Sequence, residues 1–167
     1  ICCTLVIANC PTAVINFACN GSNSTSNYPP LQVHYPTIVS SCGPTTTTYV
    51  DSAIGTCTGP ANGRYREFTR TFTVKDAMGN TATCTRTVRI TDNVAPVFNG
   101  ALPQDLTVSC ASAIPAAAAL TATDNCGTAV VTFAQSTITG TCANKLTITR
   151  TWTATDSCGN AVTHTQV

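Results

Sequence analysis

The residues able to do chemistry are few, and most of them are aspartates. The chain has seven carboxylates and two histidines in 167 residues. Four oxygen-bearing side chains stand where they could share an ion. Asp92 and Asn93 lie in a linker-like stretch, and Asp124 and Asp156 are placed to cap strands further on. Carboxylate and amide oxygens in such a group are hard donors of the kind Ca²⁺ takes, so a structural Ca²⁺ site at a domain junction is one expectation for Asp92, Asn93, Asp124 and Asp156. The other is local, because Asp in an Asp-x-x-Gly-Asn stretch commonly hydrogen-bonds its own turn.

Catalytic patterns do not emerge. No Gly-x-Ser-x-Gly elbow, His-Glu-x-x-His pair or phosphate-binding glycine loop is present. Paired carboxylates for glycoside hydrolysis would have to come from the aspartate group, which has no glutamate. The chain is not expected to be an enzyme, and no cofactor is required beyond the Ca²⁺ just considered. Two positions could carry sugar: Asn20 and Asn23 begin Asn-x-Ser/Thr sequons in a polar stretch. Chance occurrence is the alternative for both.

Eleven cysteines are hard to reconcile with a reducing compartment. Zinc would need close pairs, and no Cys-x-x-Cys occurs. Disulfides, and with them a secreted or cell-surface location, are the expectation. Charged residues make up only 9 % of the chain, with a net charge of +1, so no basic stripe exists to neutralise phosphates and no nucleic-acid partner is expected. No apolar run approaches the roughly 18 residues of a spanning helix, so no membrane insertion is expected. The chain starts without Met, which reads as a mature product or a piece of something longer.

The elements that must position these groups are strands. The 33 threonines often alternate with apolar residues, and β-branched side chains suit a half-buried pleated surface. Self-comparison then reveals a repeat. Arg70-Thr-Phe-Thr-Val-Lys-Asp76-Ala-Met-Gly79-Asn80 matches Arg150-Thr-Trp-Thr-Ala-Thr-Asp156-Ser-Cys-Gly159-Asn160, and Gly55-Thr-Cys57 matches Gly140-Thr-Cys142. Cys42 and Cys126 correspond, as do Cys19 and Cys110. The copies meet near Asp92-Asn93-Val94-Ala95-Pro96, giving repeats over residues 1–91 and 92–167. Leu146, Ile148, Trp152 and Ala154 share one strand face with Thr between them; Phe68, Phe72 and Val74 do the same earlier. The only helix-like stretch, Ala116–Ala119, follows Pro115. Arg70 and Arg150 fall on the apolar faces beside Phe72 and Trp152, where a guanidinium can stack on a ring. The fold expected is all-β: two tandem Ig-like β-sandwiches stapled by disulfides.

The Asp-Asn-Cys-Gly, Arg-Thr-Trp-Thr-Ala-Thr-Asp-Ser-Cys-Gly-Asn and Asp-Asn-x-x-Pro segments resemble HYR-like (hyalin-type) Ig-fold repeats. The resemblance covers residues 92–167 well and 9–92 more loosely, since the first copy has Met78 where the second has Cys158. Such repeats occur in tandem in very large secreted surface proteins, notably adhesins of gliding bacteria exported by the type IX pathway, and Asp51-Ser52-Ala53 resembles the short O-glycosylation motif of the same group, with Ser52 as the acceptor and chance occurrence as the alternative. The linker is also similar to the calcium-binding junctions of cadherin-type repeats.

Comparing the copies predicts disulfides. Cys10 and Cys84 occur in the first copy, and their counterparts near Ala101 and at His164 both lack sulfur; joint presence and joint absence predict a Cys10–Cys84 bridge. With Leu106–Cys110, Leu120–Asp124 and Leu146–Thr155 as strands of an Ig sandwich, strand ends coincide so that Cys126 meets Cys158 and Cys110 meets Cys142. Cys19 then pairs with Cys57. Cys42 is left for Cys2 or Cys3, and one cysteine of the N-terminal pair remains over, either as a free thiol or as a bridge to a neighbour.

The first copy continues past Thr87 with Val-Arg-Ile-Thr-Asp, whereas the second stops at the equivalent point, Val167. Its last strand is expected either to be cut from a longer array or to be completed by a neighbour through β-strand addition. The function expected is structural or adhesive: an extracellular module of a cell-surface adhesin or filament, whose partners are copies of itself, neighbouring repeats or surface glycans. The alternative is a carbohydrate-binding module, for which Tyr28, Tyr35, Tyr49 and Tyr65 are the available platform aromatics.

Overall fold

The computed structural model describes residues 4–11, 13–19, 28, 35–60, 63–141 and 145–167. The chain forms two compact units, Ile1–Asp92 and Asn93–Val167, and each is an all-β Ig-like sandwich of two sheets.

In the first unit, β1 (Leu5–Asn9) pairs with β3 (Thr37–Ser40) in a two-stranded sheet. The facing sheet has the order β2-β6-β5-β4, from β2 (Ile15–Ala18), β6 (Thr81–Thr91), β5 (Tyr65–Asp76) and β4 (Thr45–Asp51). Period-two alternation is what makes β5 a central strand. Arg66, Phe68, Arg70, Phe72, Val74 and Asp76 all point inward and are buried, while the residues between them are partly or fully exposed. Val88 and Ile90 of β6 complete this core. Burying such branched or aromatic side chains stabilises by about 1.5–3 kcal/mol each. A disulfide joins Cys10 to Cys84, with Cα atoms 5.9 Å apart, and ties the start of the unit to its central sheet.

The second unit repeats the plan. β7 (Val97–Phe98), β8 (Ala122–Asp124) and β9 (Gly127–Thr128) form one sheet; β10 (Val130–Thr139), β11 (Leu146–Thr155) and β12 (Ala161–Gln166) form the other. Trp152 is buried at the centre of β11. Phe133 and His164 flank it, and its indole N–H donates to the Ala118 carbonyl at 2.9 Å. The polyalanine stretch that looked helical is irregular chain laid over this ring; the only helical turn among the described residues is a 3-10 turn, Ala111–Ala113.

One expected strand does not form. Residues 106–110 carry no strand pairing, although their counterparts, Ile15–Ala18, make β2. β2 zips in parallel onto Val88–Thr91 of β6, whereas the matching stretch of the second unit is tied to the end of β12 by Leu106 N–H donating to the Val167 carbonyl at 3.0 Å.

Candidate functional site

The turns closing β5 and β11 are built alike. Asp76 Oδ1 accepts from the backbone N–H groups of Met78 and Asn80, both at 2.9 Å, and Oδ2 accepts from the Asn80 amide at 2.8 Å. Asp156 Oδ1 accepts from Cys158 at 2.7 Å and Asn160 at 2.9 Å, with the Asn160 amide on Oδ2 at 2.8 Å. Gly79 and Gly159 supply the positive φ (92° and 79°) that an L side chain rarely adopts. The local role foreseen for Asp156 is therefore filled. Burial raises the Asp76 pKa, but the amide and backbone donors of Asn80, with Met78 and Gly79, outweigh it and leave the carboxyl below its ordinary value.

Asp124 differs. Its Oδ1 accepts from Cys126 N–H at 2.7 Å, closing its own turn. In the first unit Ser40 performs that duty, its Oγ accepting from Cys42 N–H at 3.2 Å. A hydroxyl suffices there, so the second carboxylate oxygen of Asp124 is surplus to the turn. This Oδ2 is buried and meets no hydrogen-bond donor. A carboxylate oxygen of Asp124 and one of Asp156 lie within 4.8 Å of each other. Of the remaining expected ligands, Asp92 ends the first unit, buried, its N–H donating to the Arg64 carbonyl at 3.1 Å, and Asn93 opens the second, exposed.

The buried arginines are structural anchors. Arg70 is fully buried and forms a fork-to-fork pair with Asp51, both contacts at 2.7 Å, with its guanidinium over the Tyr49 ring at 4.4 Å. Arg150 pairs with no carboxylate among the described residues. It donates to Gln135 Oε1 at 3.1 Å, Gln166 Oε1 at 3.3 Å and the Pro115 carbonyl at 2.6 Å. The expected contact of Arg150 with Trp152 is thus replaced by amide and carbonyl acceptors, which satisfy the flat donor array better than a ring face.

The tyrosines form no shared platform. Tyr28 is buried beside Phe17, Tyr35 packs on Phe72, Tyr49 is exposed and covers the buried Arg70, and Tyr65 stacks against Arg89 at 3.6 Å. Of the candidate sugar acceptors, Asn20 and Asn23 lie outside the described residues. Ser52 is exposed, but its Oγ donates to the Ala53 carbonyl and accepts from Thr69 N–H at 3.0 Å.

Among the cysteines, Cys19, Cys42, Cys57, Cys126 and Cys158 are all in disulfides, like Cys10 and Cys84. Cys2 and Cys3, expected for Cys42, lie outside the described residues, as does Cys142. The bridge expected between Cys110 and Cys142 is corrected at its described end: Cys110 is a free, exposed thiol. Its segment has no strand neighbour to hold it in register, so Cys110 falls on the way into the 3-10 turn, 3.2 Å from the Ser112 hydroxyl.

No helix among the described residues is long and apolar enough to cross a membrane. No curated protein matches the chain. Residues 98–167 match the family described as HYR-like domain with 4 cysteines, a span that holds Cys110, Cys126, Cys142 and Cys158. The second unit is thus similar to HYR-like domains, and that likeness together with the disulfides marks an extracellular, adhesion-type module.

Proposed function

We propose that this chain is a load-bearing piece of a cell-surface adhesin or extracellular filament assembled from such units, of the kind exported by gliding bacteria. The observation that carries this is the frame common to both units: a long central strand, an Asp-x-x-Gly-Asn turn and a buried arginine, in a chain whose described cysteines are nearly all in disulfides. Units of this size bury too little apolar surface to be robust alone, and cross-links offset that deficit outside the cell. The test is competition: the purified chain, added to the cells that make it, should reduce their attachment to a surface in a dose-dependent way. Unchanged attachment with the chain in large excess would sink the adhesive role. Carbohydrate binding through the tyrosines gains no support from rings that each pack on a different neighbour, Phe17, Phe72, Arg70 or Arg89; glycan binding lost on Tyr49→Ala or Tyr65→Ala would revive it.

A structural Ca²⁺ at the Asp124–Asp156 end of the second unit is part of the same proposal. What supports it is the surplus oxygen of Asp124: two carboxylates this close repel each other unless a cation or proton intervenes. Adding Ca²⁺ to chelator-treated chain should raise the melting temperature of the second unit, and Asp124→Ser, which copies the first unit, should abolish the rise. An equal rise in both proteins would place the ion elsewhere.

A further inference from the structure

We propose that the free edge of β10 in the second unit is a pairing surface for the same edge of a second copy of this chain, the two strands running antiparallel about a two-fold axis at Ala134. This rests on reading the chain as a piece of an extracellular assembly, and it names a contact by which two copies would join.

β10 is the outer strand of its sheet, bonded to β11 on one side and to no described strand on the other. Gly140 N–H donates to the Lys145 carbonyl at 2.7 Å, in line with the unbroken β10–β11 register. Opposed residues of an antiparallel pair alternate between bonded and non-bonded, so the even-numbered residues of β10 bond to β11. The odd-numbered ones, Val131 to Thr139, turn their N–H and C=O groups to the free edge. Nearly all of the strand is exposed: Val130 by 64 %, Ile138 by 65 % and Phe133 by 48 %.

Open edges are ordinarily guarded by being short, charged, bulged or broken by proline. β10 has none of these guards. It runs for 10 residues in unshifted register without proline, and no residue from 125 to 144 is charged. β4, the matching edge of the first unit, has 7 residues and ends on Asp51. A copy of β10 therefore meets β10 with no like charges opposed, and this makes a second copy the fitting occupant.

Symmetry then sets the register. A two-fold axis that joins two such edges into one sheet stands perpendicular to the sheet, so core-facing residues stay on one side. Residues of like parity must lie opposite each other, and the axis passes through a residue rather than between two. Centred on Ala134, the outer face sets Val130 against Ile138 at both ends and Thr132 against Ser136. The two exposed aliphatic side chains of the strand thus cover each other, the kind of cross-strand pair that stabilises a sheet. On the core side Phe133 meets Gln135 and Val131 meets Thr137, and these are the residues whose main-chain groups face the edge. Centring on Gln135 instead would set Ile138 against Thr132 and lose the match.

Sedimentation of the full chain over a wide range of concentrations should show a reversible dimer that denaturant separates without reductant. Ala134→Lys, an exposed change that brings two ammonium groups together on the axis, should weaken the dimer by about tenfold or more, with the monomer melting as before. Two double variants read the register. Val130→Lys with Ile138→Glu sets opposite charges face to face between copies and should keep the dimer. Val130→Lys with Ile138→Lys sets like charges there and should dissociate it; the two positions lie at opposite ends of the strand and do not meet within one chain. A chain monomeric at every concentration, a dimer indifferent to Ala134→Lys, or equal behaviour of the two double variants would overturn the proposal. So would a dimer that only reductant separates. Attachment competition reads adhesion and not mass, so either result can fail without the other.

Discussion

In the first unit the buried arginine of the central strand, Arg70, faces a carboxylate; in the second its counterpart, Arg150, faces two amides and a backbone carbonyl. Both lie at the same strand position, and both are held by a residue directly across the sheet, Asp51 on β4 or Gln135 on β10. The difference follows from burial. Arg70 has no exposed side-chain surface and is fully desolvated, so its charge needs an opposite charge. Arg150 is 8 % exposed, and there neutral acceptors suffice. One central strand thus encloses an ion pair, and the other holds its arginine with dipoles.

Asp51→Ala should break this contrast most severely. It strands a buried guanidinium and should destabilise the first unit by about 3–5 kcal/mol in denaturant titration. Gln135→Ala leaves Arg150 two acceptors and should cost the second unit only about 1 kcal/mol. Equal losses would mean that the two pockets are equally desolvated.

Removing the bridge that only the first unit has comes next. The double change Cys10→Ala and Cys84→Ala should lower its stability by about 2–4 kcal/mol, mostly by freeing the unfolded chain. The second unit, with Ala101 and His164 in the equivalent places, should melt as before.

The smallest effect sharpens the comparison of turns. The folded-state pKa of Asp76 lies below its unfolded value near 3.8, so on acidification the unfolded chain takes up the proton first. Its contribution is present above pH of about 4 and fades as pH falls through the folded value. Asp76→Asn should flatten that part of the acid-stability profile of the first unit; an unchanged profile would show that other carboxylates carry it.

Much of this was legible in the chain. Period-two alternation around Phe68, Phe72 and Val74, and again around Trp152 and Ala154, marked β5 and β11, because a strand's inward face is written into every second residue. The joint presence of Cys10 and Cys84 announced their bridge for a similar reason: a cross-link needs both ends. The turn role of Asp156 was legible because its partners, Cys158 and Asn160, lie within four residues.

Other features depend on neighbours distant in the chain. Leu106–Ser109 alternates as Ile15–Ala18 does, yet only the latter is a strand, because a ladder needs a second backbone at its side. Cys110, at the end of that stretch, is a free thiol. Nothing near Arg150 in sequence announces Gln135, Gln166 or the Pro115 carbonyl, since cross-strand register and loop course choose them. By itself, then, the sequence determined the strand faces, the repeat and the turn chemistry, all of which act within a few residues or by simple correspondence between copies. Only the tertiary structure decided which buried charge meets a countercharge, and that Cys110 is free among the described cysteines. Those outcomes turn on desolvation and hydrogen-bond pairing between segments that no local pattern brings together.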